Sequence, residues 1–140
     1  MNDCPLCVAA AEDVLWRDDF CRVIAAAEPD YPGFLRVIVH EHVKEMTDLA
    51  STQRSRLMQA VCKAEEALRE VLRPDKINLA SLGNVVPHLH WHVIPRFSGD
   101  PHFPNPVWGQ KTGHGAVQDG PERAALVEAL RRRLGPSTPA

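Results

Sequence analysis

No apolar run in this chain approaches the ~20 residues that a transmembrane helix needs. The opening Met-Asn-Asp-Cys is not that of a secretory signal peptide. Neither sign of charge is in excess. Sixteen Lys and Arg stand against 18 Asp and Glu, a net charge of −2, which gives no reason to expect a nucleic-acid or membrane partner. No internal repeat is evident, so solenoid and array architectures fall away. A reducing cytoplasm is therefore the expected location, and the four cysteines read first as thiols or metal ligands. What is present is ordinary for a globular protein: 140 residues, 44% hydrophobic and 24% charged. That length is most simply one domain, residues 1–140, with a real core.

Against this plain background stands His88-Leu89-His90-Trp91-His92, followed by Val93-Ile94-Pro95-Arg96. On a β-strand the period of two sends all three imidazoles to one face and Leu89, Trp91 and Val93 to the other. Neighbouring imidazoles then lie roughly 6.5–7 Å apart, close enough to share one substrate or one metal. Each buried ring nitrogen needs a partner, so three such rings on one face are poor core material and point to chemistry.

The rest of the pattern is strands interrupted by one long helix. Val14 to Arg17 and Phe20 to Ala26 read as a hairpin across the turn Asp18-Asp19. Phe34 to Val39 forms a third strand after Pro29, Pro32 and Gly33. Ser51 is the expected N-cap of a helix whose apolar stripe is Leu57, Val61, Ala64, Leu68 and Leu72, ending before Pro74. Met58 and Cys62 border the stripe as packing, and Lys63, Glu65, Glu66, Arg69 and Glu70 form its solvated face. Cys21 and Cys62 are expected to be inert core thiols. Lys76 to Leu82 and His88 to Phe97 complete five strands, mainly antiparallel, joined by a Gly-Asn turn. The expected fold class is α+β, a five-stranded sheet with one long helix packed on it. Residues 98–120 form a long loop without periodicity, and residues 121–134 a C-terminal helix. Arg131-Arg132-Arg133 at its end read as a solvated helix terminus rather than an anion site.

His88 to Ile94 fits the His-φ-His-φ-His-φ-φ signature, and the chain resembles the histidine triad superfamily, nucleotidyl hydrolases and transferases. The resemblance spans about residues 4–97. It includes Gly83-Asn84 before the triad, Gly33 to Val39 followed by His42, and Cys4-Pro5-Leu6-Cys7. It implies a HIT-like fold pairing into a homodimer with a ten-stranded sheet. It also implies a purine nucleotide substrate and a covalent nucleotidyl intermediate on His90. Backbone near His88 would fix the His90 tautomer, and His92 would donate to a phosphate oxygen. Asn78 and Asn84 look like the family's phosphate- or ribose-side amides, although Asn84 reads equally as a turn former. Val85 stands where much of the family has a hydroxyl, and Phe34 where it has a histidine. The ribose would bond an acidic residue, Glu28 or Asp30. Trp16, Phe20 and Ile24 can line a base pocket or serve as core. His102, Phe103 and Trp108 can close over the leaving group, and His114 reads as surface.

By the same resemblance Cys4, Cys7, His42 and His88 form a closed Cys2His2 set, the ligand count of a structural zinc. His40 is the competing ligand. Diadenosine polyphosphates, phosphoramidates and nucleotidyl adducts all remain open as substrates. Two rival readings stand beside this one: a nucleotide-binding module with little turnover, and a metal-dependent hydrolase using the three histidines as ligands.

Overall fold

The computed structural model describes residues 3–139, so Met1, Asn2 and Ala140 of the expected 1–140 unit lie outside the described residues. After a one-turn helix α1 (Pro5–Val8), three strands follow: β1 (Asp13–Arg17), β2 (Cys21–Ala25) and β3 (Leu35–Val39). A 3-10 turn (Met46–Asp48) leads into α2 (Ser51–Leu72), then β4 (Lys76–Ala80), β5 (His90–Arg96) and α3 (Arg123–Leu134). The sheet order is β1-β2-β3-β5-β4, and every neighbouring pair is antiparallel. The expected α+β class and the five strands are therefore present. The short α1 and the 3-10 turn are additions that no periodicity announces, because one turn is too short to repeat a pattern.

One face of the sheet is the core. Val23, Leu35, Val37, Val39 and Val93 meet Leu57, Val61, Ala64 and Leu68 of α2, all of them fully buried. Leu126, Ala129 and Leu130 of α3 extend the same cluster. Two local expectations are corrected. Ala50, not Ser51, is the N-cap of α2; Gln53 Oε1 accepts the Ala50 N–H at 2.9 Å, doing from inside the first turn what a capping side chain would do. Cys62 is exposed rather than core, because its position in α2 turns away from the sheet, whereas Cys21 is buried as expected. The arginines ending α3 pair with the protein's own acids. Arg132 and Arg133 meet Glu70, and Arg131 meets Glu128.

The stretch 98–120 contains no helix or strand, yet it is firmly anchored. Asp100, 2% exposed, accepts both Nε and Nη2 of Arg96, the backbone N–H groups of Phe97, His102 and Phe103, and the Tyr31 hydroxyl. Arg96 is equally buried and donates in addition to the Asn105 carbonyl and to Asn78. Gly115 closes the loop onto this knot, since a Cβ there would overlap the Asp100 carbonyl oxygen. Burial alone would raise the Asp100 pKa, but the guanidinium and three N–H donors hold it well below the usual carboxylate range. A depressed carboxyl pKa contributes stability above the ordinary value of 3.8 that is lost as pH falls toward the folded value. Asp100→Asn should cost about 3–5 kcal/mol near neutral pH by leaving Arg96 unpaired. In urea unfolding across a pH series the gap from wild type should narrow below about pH 4. Equal stability at neutral pH would refute the assignment.

Candidate active site and metal centre

The opposite face of the sheet carries the polar groups. Strand register lines up Ile24, Arg36, His92 and Ala80 in one row across β2, β3, β5 and β4, with Arg22, Ile38 and His90 in the next. His90 and His92 are both buried, 8% and 6% exposed, with ring centroids 5.0 Å apart. His90 Nδ1–H donates to the His88 carbonyl at 2.6 Å, which leaves Nε2 as a bare lone pair. Burial lowers its pKa, opposed by that carbonyl and assisted by the charge of Arg36. His92 is pulled down to about 4, chiefly by burial and then by His90 and Arg36. Both rings are thus neutral at physiological pH.

Alternation along the strand holds for His90 and His92 but not for His88, which precedes β5. The fully buried His88 ring donates from Nε2 to the Val39 carbonyl at 2.6 Å and turns Nδ1 toward the N-terminal segment. There Cys4 Sγ and Cys7 Sγ each lie 3.4 Å from His88 Nδ1, Cys7 Sγ lies 3.1 Å from His42 Nδ1, and the two Nδ1 atoms are 3.2 Å apart. All four donor atoms fall within 4.8 Å of one another. Zn–S and Zn–N bonds of about 2.3 and 2.0–2.1 Å at a tetrahedral angle place donors about 3.3–3.8 Å apart, so the set fits one small tetrahedral cation. The Val39 carbonyl takes the only His88 N–H, so the Nδ1 lone pair faces the cluster, as a ligand must. His40 is not part of it; its nitrogens lie against the Asp18 carbonyl and Arg22. Arg22 anchors the cysteine-bearing segment by donating to the Leu6 carbonyl and to Glu12.

The remaining candidates divide. Asn78 accepts Arg96 Nη1 at 2.8 Å and lines a cavity of about 360 Å³ together with Ile94, Val107 and Trp108. Trp108, half exposed, stacks edge-on against His92 at 5.0 Å. Glu28 joins the site through Arg36 Nη2 at 3.3 Å, while Asp30 pairs with Lys111. Asn84 and Val85 are exposed in the segment before β5. Trp16 and Phe20 belong to the helix-side core, so of the three base-pocket candidates only Ile24 is on the site face. His102 is buried 2.7 Å from the Tyr31 hydroxyl and Phe103 packs under Arg96, which removes both as leaving-group covers. His114 is exposed, as expected. Arg36 was missed. Its signal was there to read: a charged residue inside an otherwise apolar strand, on the parity opposite Leu35 and Val37.

The family model described as HIT domain matches residues 9–99. Over 89 residues the chain is 34% identical to the AP-4-A phosphorylase of Mycobacterium tuberculosis, covering 59% of this chain and 46% of that one. It is 27% identical over 92 residues to the asymmetrical bis(5'-nucleosyl)-tetraphosphatase of Schizosaccharomyces pombe, covering 62% and 50%. The chain thus spans about half the length of the curated relatives it matches. A solved histidine triad protein from Bradyrhizobium japonicum is 32% identical, with a TM-score of 0.71 over 90% of this chain and 92% of the other.

Metal binding at the Cys4, Cys7, His42 and His88 cluster has a direct optical check. Cobalt(II) loading should give one equivalent per chain with intense tetrahedral d–d bands and thiolate charge-transfer absorption, both weakened in Cys7→Ala. A weak octahedral spectrum would count against a Cys2His2 site.

Proposed function

This chain belongs to the HIT domain family, and from that premise we propose that it cleaves nucleoside 5'-phosphate linkages by passing the nucleotidyl group through His90. The observation that carries the reading is the His90 tautomer. With Nδ1–H committed to the His88 carbonyl at 2.6 Å, Nε2 is a lone pair free to attack phosphorus, and the depressed pKa keeps it unprotonated. In this reading the Nε2–P bond forms as the bond to the leaving group breaks. The Nδ1 proton stays on Nδ1 throughout, hydrogen-bonded to the His88 carbonyl, and water then releases the nucleoside monophosphate. His92 donates to a phosphate oxygen in the transition state, Asn78 and Glu28 hold the ribose-phosphate, and Trp108 closes the far side. A purine nucleotide is the proposed substrate, and the names of the two curated relatives agree with nucleoside phosphate chemistry.

Zinc is the proposed ion for the Cys2His2 cluster. Four protein ligands would close its shell, so its contribution would be to hold His88, and through it the His90 tautomer. The rival in which all three histidines bind a catalytic metal is disfavoured by His88, whose ring points at the cysteines while His90 Nδ1 is spent on a carbonyl.

Intact-mass spectrometry after brief mixing with a diadenosine polyphosphate, quenched in alkali, tests the nucleophile. An adenylyl adduct is expected on wild type and none on His90→Ala, whose turnover should fall by at least about 10³-fold. Undiminished release of AMP from His90→Ala would overturn the reading, and binding without turnover by wild type would favour the binding-module alternative.

A homodimer is proposed through β4. That strand is an edge of the sheet and leaves Leu79 37% exposed, with Leu82 and Val85 exposed just beyond it, whereas the β1 edge is partly covered where Thr138 N–H meets the Arg17 carbonyl. Sedimentation at micromolar concentration should give a two-chain mass, shifted to monomer by Leu79→Lys. A monomeric wild type would refute it.

A further inference from the structure

Arg36 is the charged residue of β3 and lies on the site face, directly opposite His92. Its Nε–H donates to His92 Nδ1 at 3.4 Å, its Nη2 reaches Glu28 Oε1 at 3.3 Å, and its guanidinium lies 5.5 Å from the Phe34 ring centre. The side chain is 27% exposed and the Glu28 side chain 42%, so their ion pair is a weak surface one and does not explain why an arginine interrupts a buried strand.

The bond to Nδ1 has a chemical consequence. A neutral imidazole has one acceptor and one donor nitrogen, so accepting Arg36 at Nδ1 places the proton on Nε2. A second proton would have to displace the Arg36 bond and sit beside a fixed positive charge. The groups facing His92 are His90 on β5, Arg36 on β3 with Glu28 behind it, Ala80 on β4, and the rings of Phe34 and Trp108. Glu28 is the one carboxylate among them, and it is held on Arg36. Among the described residues facing His92, the site therefore offers an N–H donor and a cation, and no group placed to surrender a proton to a leaving atom.

Leaving groups differ in whether they need that proton. When a P–O bond to a phosphate chain breaks, the bridging oxygen keeps the electron pair and departs as a stable anion near neutral pH. When a P–N bond breaks, the nitrogen must gain a proton as it departs, because an amide anion is far too basic. We propose that Arg36 is a positioning residue that holds His92 as a neutral Nε2–H donor and thereby selects nucleoside polyphosphates over phosphoramidates. This rests on the nucleotidyl-His90 reading. In the selected step His90 Nε2 bonds to the α-phosphorus, the α–β bridging oxygen leaves with its electrons, and the added negative charge meets the His92 Nε2–H, with Arg36 on the far side of that ring. Water then cleaves the N–P bond and gives its proton to solvent. The lowered His92 pKa, to which burial, His90 and Arg36 all contribute, agrees with a ring kept neutral.

Two readouts test this on the same proteins: wild type, Arg36→Leu and Arg36→Lys. The first is kcat/KM for diadenosine tetraphosphate against adenosine 5'-phosphoramidate. The second is the tautomer and titration midpoint of His92 by ¹⁵N NMR, which also reports whether each variant folds. Wild type should prefer the tetraphosphate by about 10²-fold and show the Nε2–H tautomer. Arg36→Leu should shrink that preference about tenfold or more and raise the His92 midpoint toward the ordinary histidine value. Arg36→Lys keeps the charge and should stay closer to wild type, and it carries the test if the leucine variant does not fold. A wild type that prefers the phosphoramidate, or an Arg36→Leu protein with both ratio and midpoint unchanged, would overturn the proposal. Turnover of neither substrate by wild type would refute the His90 reading and the selectivity with it, while the NMR midpoint still decides the Arg36–His92 coupling.

Discussion

One buried imidazole, that of His88, ties together three segments that the chain brings in from far apart. Its Nε2–H holds the end of β3 at Val39, its Nδ1 faces Cys4, Cys7 and His42, and the backbone carbonyl of the same residue accepts the His90 Nδ1–H. Each of these bonds constrains the next. The Val39 carbonyl decides which His88 nitrogen carries hydrogen, which decides which nitrogen faces the cysteines. The backbone held in this way presents the carbonyl that sets the neighbouring ring. A zinc ion in the cluster would stiffen this chain of consequences without touching a substrate.

A second knot, Arg96 with Asp100, does comparable work at the other end of β5. It ties the helix-free stretch after the strand to the sheet and binds Asn78 by its carbonyl oxygen, so the Asn78 amide hydrogens remain available to a ligand. The same stretch carries Trp108 back against His92. Burying an ion pair is costly unless its remaining donors and acceptors are satisfied. Here the carboxylate is filled by three local backbone N–H groups, the Tyr31 hydroxyl and Arg96, and the guanidinium by Asp100, the Asn78 side chain and the Asn105 carbonyl, which lets a loop without secondary structure hold a defined position.

Between these knots His90 and His92 share a face yet differ in what surrounds them. His90 is oriented by a neutral carbonyl and keeps its outward nitrogen free for attack. His92 is oriented by a cation, in a setting that favours donating a hydrogen bond over giving up a proton. The two proposed roles, nucleophile and electrostatic partner, thus follow from the identity of each ring's second neighbour.

Some of this could be read before any fold was known. Five short apolar segments, one stripe at helical spacing and a stop at Pro74 are local patterns, and period-two and period-3.6 burial turned them into the observed strands and α2. The histidine triplet likewise marked the site, because imidazoles at alternate positions have no use in a core. The local patterns stopped short where the physics was not local. Nothing near Cys62 distinguishes it from a buried thiol, and its exposure was decided by which way α2 rotated against the sheet. His102 reads locally as a residue that can close over a leaving group, but it packs against the hydroxyl of Tyr31, 71 residues earlier in the chain. Strand parity implied that His88 would join its two neighbours, but the strand begins two residues later and the cluster claims the ring. The elements, the core face and the shared face of His90 and His92 were legible along the chain, since these depend on periodicity within one segment. Which nitrogen of each histidine is free, that Arg36 stands behind His92, and that Glu28 pairs with Arg36 while Asp30 pairs with Lys111 come from the packed fold. Those depend on partners from other strands, and hydrogen-bond direction is set by the partner.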